Sequence, residues 1–162
     1  MQFKPVPRPA SLVDLAERQA ALPLVPDDRE SCCVRLADRT DVSREAAPEW
    51  ITFLRALGLA ERTQSGYRKT DRSVDDPAVA LAFRERVYGA DAVLDAVEAD
   101  GPITAAEVRD RLDADLPTWE RGRRQDPGSA TAQRIERILR WAVQFDVLRE
   151  TDTGYVASER SD

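Results

Sequence analysis

One short segment of this sequence occurs twice at a fixed spacing. "ERTQSGY" (61–67) and "RETDTGY" (149–155) align without a gap when the chain is shifted by 88 residues. The same shift aligns two apolar helix ends, "FLRALGLA" (53–60) and "WAVQFDVL" (141–148). Internal repeats are strong evidence for a fold when their flanks agree, so we interpret these segments as two copies of one helix-and-hairpin unit. Two unrelated hairpins built from common turn residues are the alternative.

The sequence before the first hairpin predicts three helices. Ser11 is placed as the N-cap of the first helix, and Asp27 with Glu30 has the spacing of a capping box for the second. The third helix carries apolar residues at helical spacing and ends at Gly58. We expect a three-residue loop ending in Gly66, with this glycine in the left-handed conformation that closes a short hairpin.

The second half of the chain repeats this order of elements more loosely. A helix over 91–101 is followed by a short strand, and Thr104 with Glu107 then forms a capping box for the next helix. A polar insertion over 113–129 precedes an amphipathic helix that we expect from about Ser129 to Phe145. The second copy of the hairpin closes the unit.

The order helix, helix, turn, helix, hairpin resembles that of the winged helix-turn-helix superfamily. The stretch "RLADRTDVSREAAPEWITFLRALGLAERTQSGYRKT" (35–70) is similar to the second helix, turn, recognition helix and wing of the MarR and ArsR groups of regulators. The resemblance implies a mainly α fold with small β-hairpins (α+β), made of two winged helix-turn-helix units in tandem.

Segment composition predicts the boundaries of these units. The first ten residues contain three prolines beside Lys4 and Arg8, a composition that disfavours helix and predicts a disordered or extended arm. A minor-groove arm is the functional alternative. The expected segments are a disordered arm (1–10), a first winged-helix unit (11–70), a linker with a connecting helix (71–89) and a second winged-helix unit (90–158).

The charge composition resembles that of a cytosolic protein from a salt-loving archaeon. Asp and Glu number 30 against 24 basic residues, only two of which are lysines, and the net charge is -6. No apolar run approaches the roughly 20 residues that span a bilayer, and the N-terminal segment lacks the apolar core of a signal peptide. We therefore expect a cytoplasmic protein with no membrane partner. A pI near 4.9 ordinarily argues against binding to a polyanion.

The residue inventory argues against most catalytic sites. The sequence has no histidine and no Gly-rich phosphate loop, so within it histidine-based catalysis and the usual zinc and iron sites are excluded. The adjacent Cys32 and Cys33 are interpreted as core thiols on a helix, with a redox role as the alternative. We predict no cofactor, no metal and no enzymatic activity, although an enzyme built only on carboxylates remains an alternative.

The candidate DNA-binding residues concentrate in the second unit. In a helix-turn-helix the second helix lies in the major groove, and basic side chains set its register on the phosphates. In the first unit the corresponding candidates Arg44, Glu45 and Glu49 include two carboxylates, which repel phosphate. The candidates are Arg121, Arg123, Arg124, Ser129, Thr131, Gln133, Arg134, Arg137, Arg140 and Arg44.

Two functions are consistent with this pattern. The first is a DNA-binding transcriptional regulator that reads double-stranded DNA mainly through its second unit. The second is a protein scaffold resembling kleisin-interacting condensin subunits or general transcription-factor subunits, in which the arginines are a solvated face paired with carboxylates. A protein partner or a homodimer is consistent with either, because Val79, Phe83 and Val87 form an apolar helix side that can pack the two units together or join two chains.

Overall fold

The computed structural model describes residue 3 and residues 5–114 and 129–158 of the chain. The chain divides into two compact units, Met1–Tyr88 and Gly89–Asp162. Within the described residues the helices are α1 (Leu12–Ala21), α2 (Arg29–Arg39), α3 (Ala47–Ala56), α4 (Pro77–Arg86), α5 (Ala90–Asp100), α6 (Ala105–Ala114) and α7 (Ser129–Gln144). The strands are β1 (Ala60–Thr63), β2 (Gly66–Lys69), β3 (Leu148–Thr151) and β4 (Gly154–Ala157).

The repeated segment forms one hairpin in each unit. Strands β1 and β2 pair antiparallel, as do β3 and β4, with Thr63 opposite Gly66 and Thr151 opposite Gly154. In both hairpins the threonine hydroxyl donates to the carbonyl oxygen of the paired glycine, at 3.1 Å in the first and 2.8 Å in the second. Each hairpin follows three helices, so the predicted α+β class with two winged-helix units in tandem is confirmed.

The predicted three-residue loop is wrong, because Gly66 begins the returning strand and the turn contains only two residues. The φ angle of Gly66 is +129°, which L side chains rarely adopt. Tyr67 exchanges two backbone hydrogen bonds with Asp27, at 2.7 and 3.0 Å. A Cβ on Gly66 would lie 2.1 Å from the carbonyl oxygen of Asp27. The glycine therefore allows the hairpin to approach the segment before α2.

The second hairpin contacts its own unit in the same way. Tyr155 exchanges backbone hydrogen bonds with Ile103 at 2.8 and 3.1 Å, and a Cβ on Gly154 would lie 2.6 Å from the Ile103 carbonyl oxygen. The Gly-Tyr pair of the repeated segment thus has one structural role in both units. It joins the hairpin to a short extended segment that leads into the second helix.

Helices α3 and α7 share one burial pattern at the repeat spacing. Each is followed by a residue of positive φ, Gly58 at +77° and Asp146 at +60°. Pro48 lies in the first turn of α3, where backbone N–H groups have no partner within the helix. The missing N–H of proline therefore costs no helical hydrogen bond. Six buried positions match, namely Ala47, Trp50, Ile51, Phe53, Leu54 and Leu57 in the first unit and Ile135, Ile138, Leu139, Trp141, Ala142 and Phe145 in the second, whereas Ala56 is buried and its counterpart Gln144 is exposed.

Helix α2 begins one residue later than the sequence spacing predicts. Asp28 is the N-cap, and its carboxylate accepts the backbone N–H of Ser31 at 2.7 Å, which lowers the pKa of Asp28 below its ordinary value. Asp27 is extended and its backbone pairs with Tyr67. The predicted capping box of Asp27 and Glu30 is therefore wrong, because the hairpin occupies the backbone of Asp27.

The N-terminal segment packs on the first unit. The N–H of Phe3 donates to the carbonyl oxygen of Arg86 at 2.6 Å, and the carbonyl of Phe3 accepts the N–H of Tyr88 at 2.8 Å. Phe3 is 9% exposed and Val6 is 4% exposed. Both residues belong to the segment predicted as a disordered or extended arm, and their apolar side chains are buried in the core despite the neighbouring prolines.

The connecting segment and α4 also belong to the first unit. The side-chain amide nitrogen of Gln19 lies within 3.3 Å of three backbone carbonyl oxygens, including that of Arg72 at 2.8 Å. Phe83 of α4 packs edge-on against Phe53 of α3, with ring centroids 6.4 Å apart. Val79, Phe83 and Val87 are buried in this way, which extends the core of the first unit.

The two cysteines are buried core thiols on α2, as predicted. Burial raises the pKa of the Cys32 thiol to about 11, and it also raises the pKa of Cys33. At neutral pH both side chains are therefore protonated, and a thiol is a far weaker nucleophile than a thiolate. Across the described part of the chain, no helix has the length and apolar character needed to cross a bilayer.

We expect Gly66→Ala and Gly154→Ala each to lower the free energy of unfolding by about 2 kcal/mol or more, because each Cβ meets backbone atoms and each φ is positive. Urea denaturation followed by circular dichroism measures this loss. Gln64→Ala, at an exposed turn position, is the control and should change stability by less than about 0.5 kcal/mol. A loss no larger for the glycine variants than for the control would contradict this role.

Candidate nucleic-acid interface

Helix α7 is the second helix of the helix-turn-helix motif in the second unit. It is 16 residues long, which corresponds to roughly 24 Å at 1.5 Å per residue. Its apolar stripe faces the core of the unit, so its polar residues lie toward solvent. This polar side is the candidate interface, and we call it the α7 face. Its described side chains are Gln133, Arg134, Glu136, Arg137 and Arg140.

Among the predicted site residues on the α7 face, Gln133 and Arg140 are exposed. The Arg140 guanidinium lies 4.0 Å from the carboxylate of Glu136, one turn earlier, and the two side chains are 62% and 58% exposed. An ion pair this exposed contributes little to stability. Arg140 can therefore exchange Glu136 for a phosphate at small cost.

Arg134 and Arg137 are half-buried. The Nε atom of Arg134 is buried and would lie 3.7 Å from a Cβ built on Gly89, the residue that caps α5. The stem of Arg134 thus packs against the start of another helix. We infer that Arg134 has a packing role in addition to any contact with a ligand.

The remaining predicted residues divide between two regions. Ser129 and Thr131 lie in the first turn of α7, but their side chains fall outside the described part of the structure, as do Arg121, Arg123 and Arg124 in the preceding insertion. Arg44 is in the first unit, ahead of α3. Its side chain is 62% exposed, and its guanidinium lies 4.0 Å from the carboxylate of Glu30. The structure therefore brings Gln133, Arg134, Arg137 and Arg140 onto one helix and places Arg44 in the other unit.

The corresponding face of α3 has different chemistry. Every residue of α3 is buried or half-buried, so this helix presents no fully exposed side chain. Two guanidinium groups pack on its aromatic surroundings, Arg18 at 4.2 Å from the Trp50 ring and Arg55 at 5.6 Å from the Tyr67 ring. At the repeat spacing, Glu45, Glu49 and Thr52 correspond to Gln133, Arg137 and Arg140.

The two wings carry the opposite charge pattern. Arg62 and Arg68 are exposed on the first hairpin, and Arg68 pairs with Glu61. The second hairpin exposes Arg149 together with Glu150 and Asp152, so its acidic residues outnumber its basic one. Sequence analysis did not single out these wing charges, although the repeat alignment contains the signal. The first unit therefore combines a basic wing with a helix that holds one acidic and one basic residue, and the second unit combines a basic helix with a wing in which acidic residues outnumber basic ones.

Three helices followed by a two-stranded wing, present twice, define a tandem winged helix-turn-helix protein. The chain belongs to the family of the halobacterial double winged helix domain, which matches it over residues 1–162. This match confirms the tandem architecture and the haloarchaeal character expected from the composition. The closer likeness of the first unit to MarR and ArsR regulators stays a prediction. No curated protein and no solved structure matches the chain.

We expect Arg134→Ala to lower the free energy of unfolding by about 1–2 kcal/mol, because the buried part of its side chain packs against the start of α5. Arg140→Ala should change stability by less than about 0.5 kcal/mol, because Arg140 is exposed. Urea unfolding of both variants separates packing from surface charge. Equal losses in the two variants would show that the burial of Arg134 has no energetic role.

Proposed function

We propose that the protein is a DNA-binding transcriptional regulator of winged-helix type and that its second unit is the main reader of double-stranded DNA. The proposal rests on the contrast between α3 and α7 at equivalent positions. Where α7 carries Arg137 and Arg140, α3 carries Glu49 and Thr52. DNA is a polyanion, so the face of α7 is better suited to DNA binding than the equivalent face of α3. The proposal includes a cytoplasmic location and a non-enzymatic role.

Exposure supports the same choice of unit. A recognition helix must present side chains to base edges in the major groove while its neighbours contact phosphates. Gln133 and Arg140 are exposed and lie about two turns apart on α7. Glutamine reads adenine by paired hydrogen bonds, so Gln133 has the chemistry for direct readout, and Arg140 has the charge to contact a phosphate.

The small number of basic side chains on α7 fits a saline cytoplasm. The slope of log affinity against log salt is about -0.9 for each phosphate contacted. Three such contacts would lose roughly 3.5 decades of affinity between about 0.15 M and 3 M salt, whereas six would lose about seven. We therefore propose that base-edge contacts supply much of the affinity, which salt weakens less.

A protein-protein scaffold is the second candidate function, and features of the first unit favour it. The equivalent helix face carries Glu45 and Glu49, and the loop after α1 exposes two apolar side chains, Leu24 at 69% and Val25 at 76%. Exposed apolar residues next to a charged surface are typical of protein interaction sites. In this candidate function the partner is a protein or a second copy of the chain.

Chromatin immunoprecipitation with sequencing in the native host tests the proposal without a guessed operator and at native salt. We expect discrete peaks at promoters that share a sequence motif. Absence of enrichment above background would overturn the DNA-binding proposal and favour the scaffold, for which purification from native lysate should recover one protein in a fixed ratio.

The recovered motif then allows a test of the α7 face. We expect Arg140→Gln to weaken specific DNA binding by about tenfold and to reduce the salt slope by about 0.9, and Arg137→Gln to have an effect of the same sign. Fluorescence anisotropy at several salt concentrations measures both quantities. Arg39→Gln removes an exposed positive charge from α2 of the first unit and is the matched control, which should leave the slope unchanged. Identical slopes in all variants would mean that another surface contacts the phosphates.

A further inference from the structure

The first unit contains a cleft of about 500 Å³ that the proposed DNA interface does not use. It lies between the wing, the end of α3, the end of α4 and the N-terminal segment. Four of its lining side chains are arginines, although acidic residues outnumber basic ones in the chain as a whole. We call it the arginine cleft. Its arginines are Arg55, Arg62, Arg72 and Arg86.

Aromatic contacts hold two of these guanidinium groups in place. Arg55 lies 5.4 Å and Arg86 lies 5.8 Å from the centroid of the Phe3 ring. Arg55 also lies 5.6 Å from the Tyr67 ring. Cation–π contacts of this kind orient a guanidinium while leaving its N–H donors available for other partners. Two positive charges are therefore held near the same aromatic ring.

The third arginine is fixed by the backbone. Nη1 of Arg72 donates to the carbonyl oxygen of Leu57 at 3.0 Å, and a Cβ built on Gly58 would overlap that same atom. The hydroxyl of Thr70 donates to the carbonyl oxygen of Gly58 at 2.6 Å. The absence of a side chain at Gly58 thus provides the space in which Arg72 lies.

Within the described residues, no carboxylate forms an ion pair with any of these four arginines. Glu61 also lines the cleft, but its carboxylate pairs with Arg68. Like charges repel one another more strongly near a protein surface than in bulk water. A cluster of arginines that form no ion pair with a described carboxylate, in a chain with a net negative charge, therefore indicates a binding site for an anion.

The second unit shows that the fold does not require two of these cations. At the repeat spacing, Arg55 corresponds to Val143 and Arg62 to Glu150, whereas Arg72 corresponds to Arg160. The backbone after the two helices makes the same hydrogen bond in both units, because Leu59 N–H donates to Leu54 and Val147 N–H donates to Ala142, both at 2.9 Å. Arg55 and Arg62 are thus specific to the first unit.

We propose that the arginine cleft binds a small molecule carrying a diphosphate or polyphosphate group. Guanidinium groups form paired, charge-assisted hydrogen bonds with phosphate oxygens, and several of them are needed to offset the charge of a polyphosphate. The volume of the cleft lies in the usual range for small-molecule sites. This site is separate from the α7 face and does not depend on the proposed DNA-binding function.

Isothermal titration calorimetry with inorganic pyrophosphate, at about 0.15 M KCl, tests the site. We expect saturable binding with one site per chain and a loss of about tenfold in affinity for Arg62→Gln and for Arg86→Gln. Arg62 is exposed, so its substitution should leave the fold intact, which circular dichroism verifies. Arg149→Gln, at the second wing, removes one exposed positive charge elsewhere and should bind pyrophosphate like the wild type.

Two further titrations identify the source of the phosphate and its chemistry. The motif-bearing DNA duplex should bind Arg62→Gln as tightly as the wild type. If Arg62→Gln loses DNA binding and the wild type does not bind pyrophosphate, the arginines contact the DNA backbone. This result would overturn the small-molecule site. Equal affinity for citrate would overturn the assignment to phosphate. If the protein does not bind DNA, pyrophosphate binding should still be observed. Each proposal can therefore be overturned without the other.

Discussion

The backbone pairing between each wing and the segment before the second helix is the constraint on which each unit depends. Tyr67 with Asp27 and Tyr155 with Ile103 each exchange two hydrogen bonds. A hairpin of four-residue strands is not stable alone, so it must be joined to the helical core. This pairing requires a glycine before each tyrosine, because any Cβ there would meet the opposite backbone. The pairing fixes the wing relative to the recognition helix in both units.

With the backbone fixed in this way, charge is the main difference between the two units. Six buried positions of α3 and its end match those of α7, so the cores are similar in pattern, while residues on the polar side differ in charge and exposure. The first unit has a helix with one acidic and one basic residue, a basic wing and the arginine cleft. The second has a basic helix face and a wing in which acidic residues outnumber basic ones. A duplicated fold can thus carry two binding chemistries without a change in its hydrogen-bonding framework.

Local patterns predicted the elements better than they predicted their ends. The repeat, the apolar periodicity of α7 and the buried thiols were all readable from the sequence. The capping box at Asp27 and the three-residue loop at Gly66 were wrong for one common reason. The backbone contact between Asp27 and Tyr67, which are distant in sequence, decided the local conformation at both places. The arginine cleft was missed because its side chains come from four separate segments.

The sequence by itself determined the fold class, because hydrophobic periodicity and a repeat with matching flanks are local properties that the printed residues contain. It also determined that the cationic helix face belongs to the second unit. Only the tertiary structure decided which of those arginines are exposed, since Arg134 packs against α5 while Arg140 remains in solvent. It alone brought Arg55, Arg62, Arg72 and Arg86 around one cleft, because such proximity depends on how the segments pack and not on their spacing along the chain.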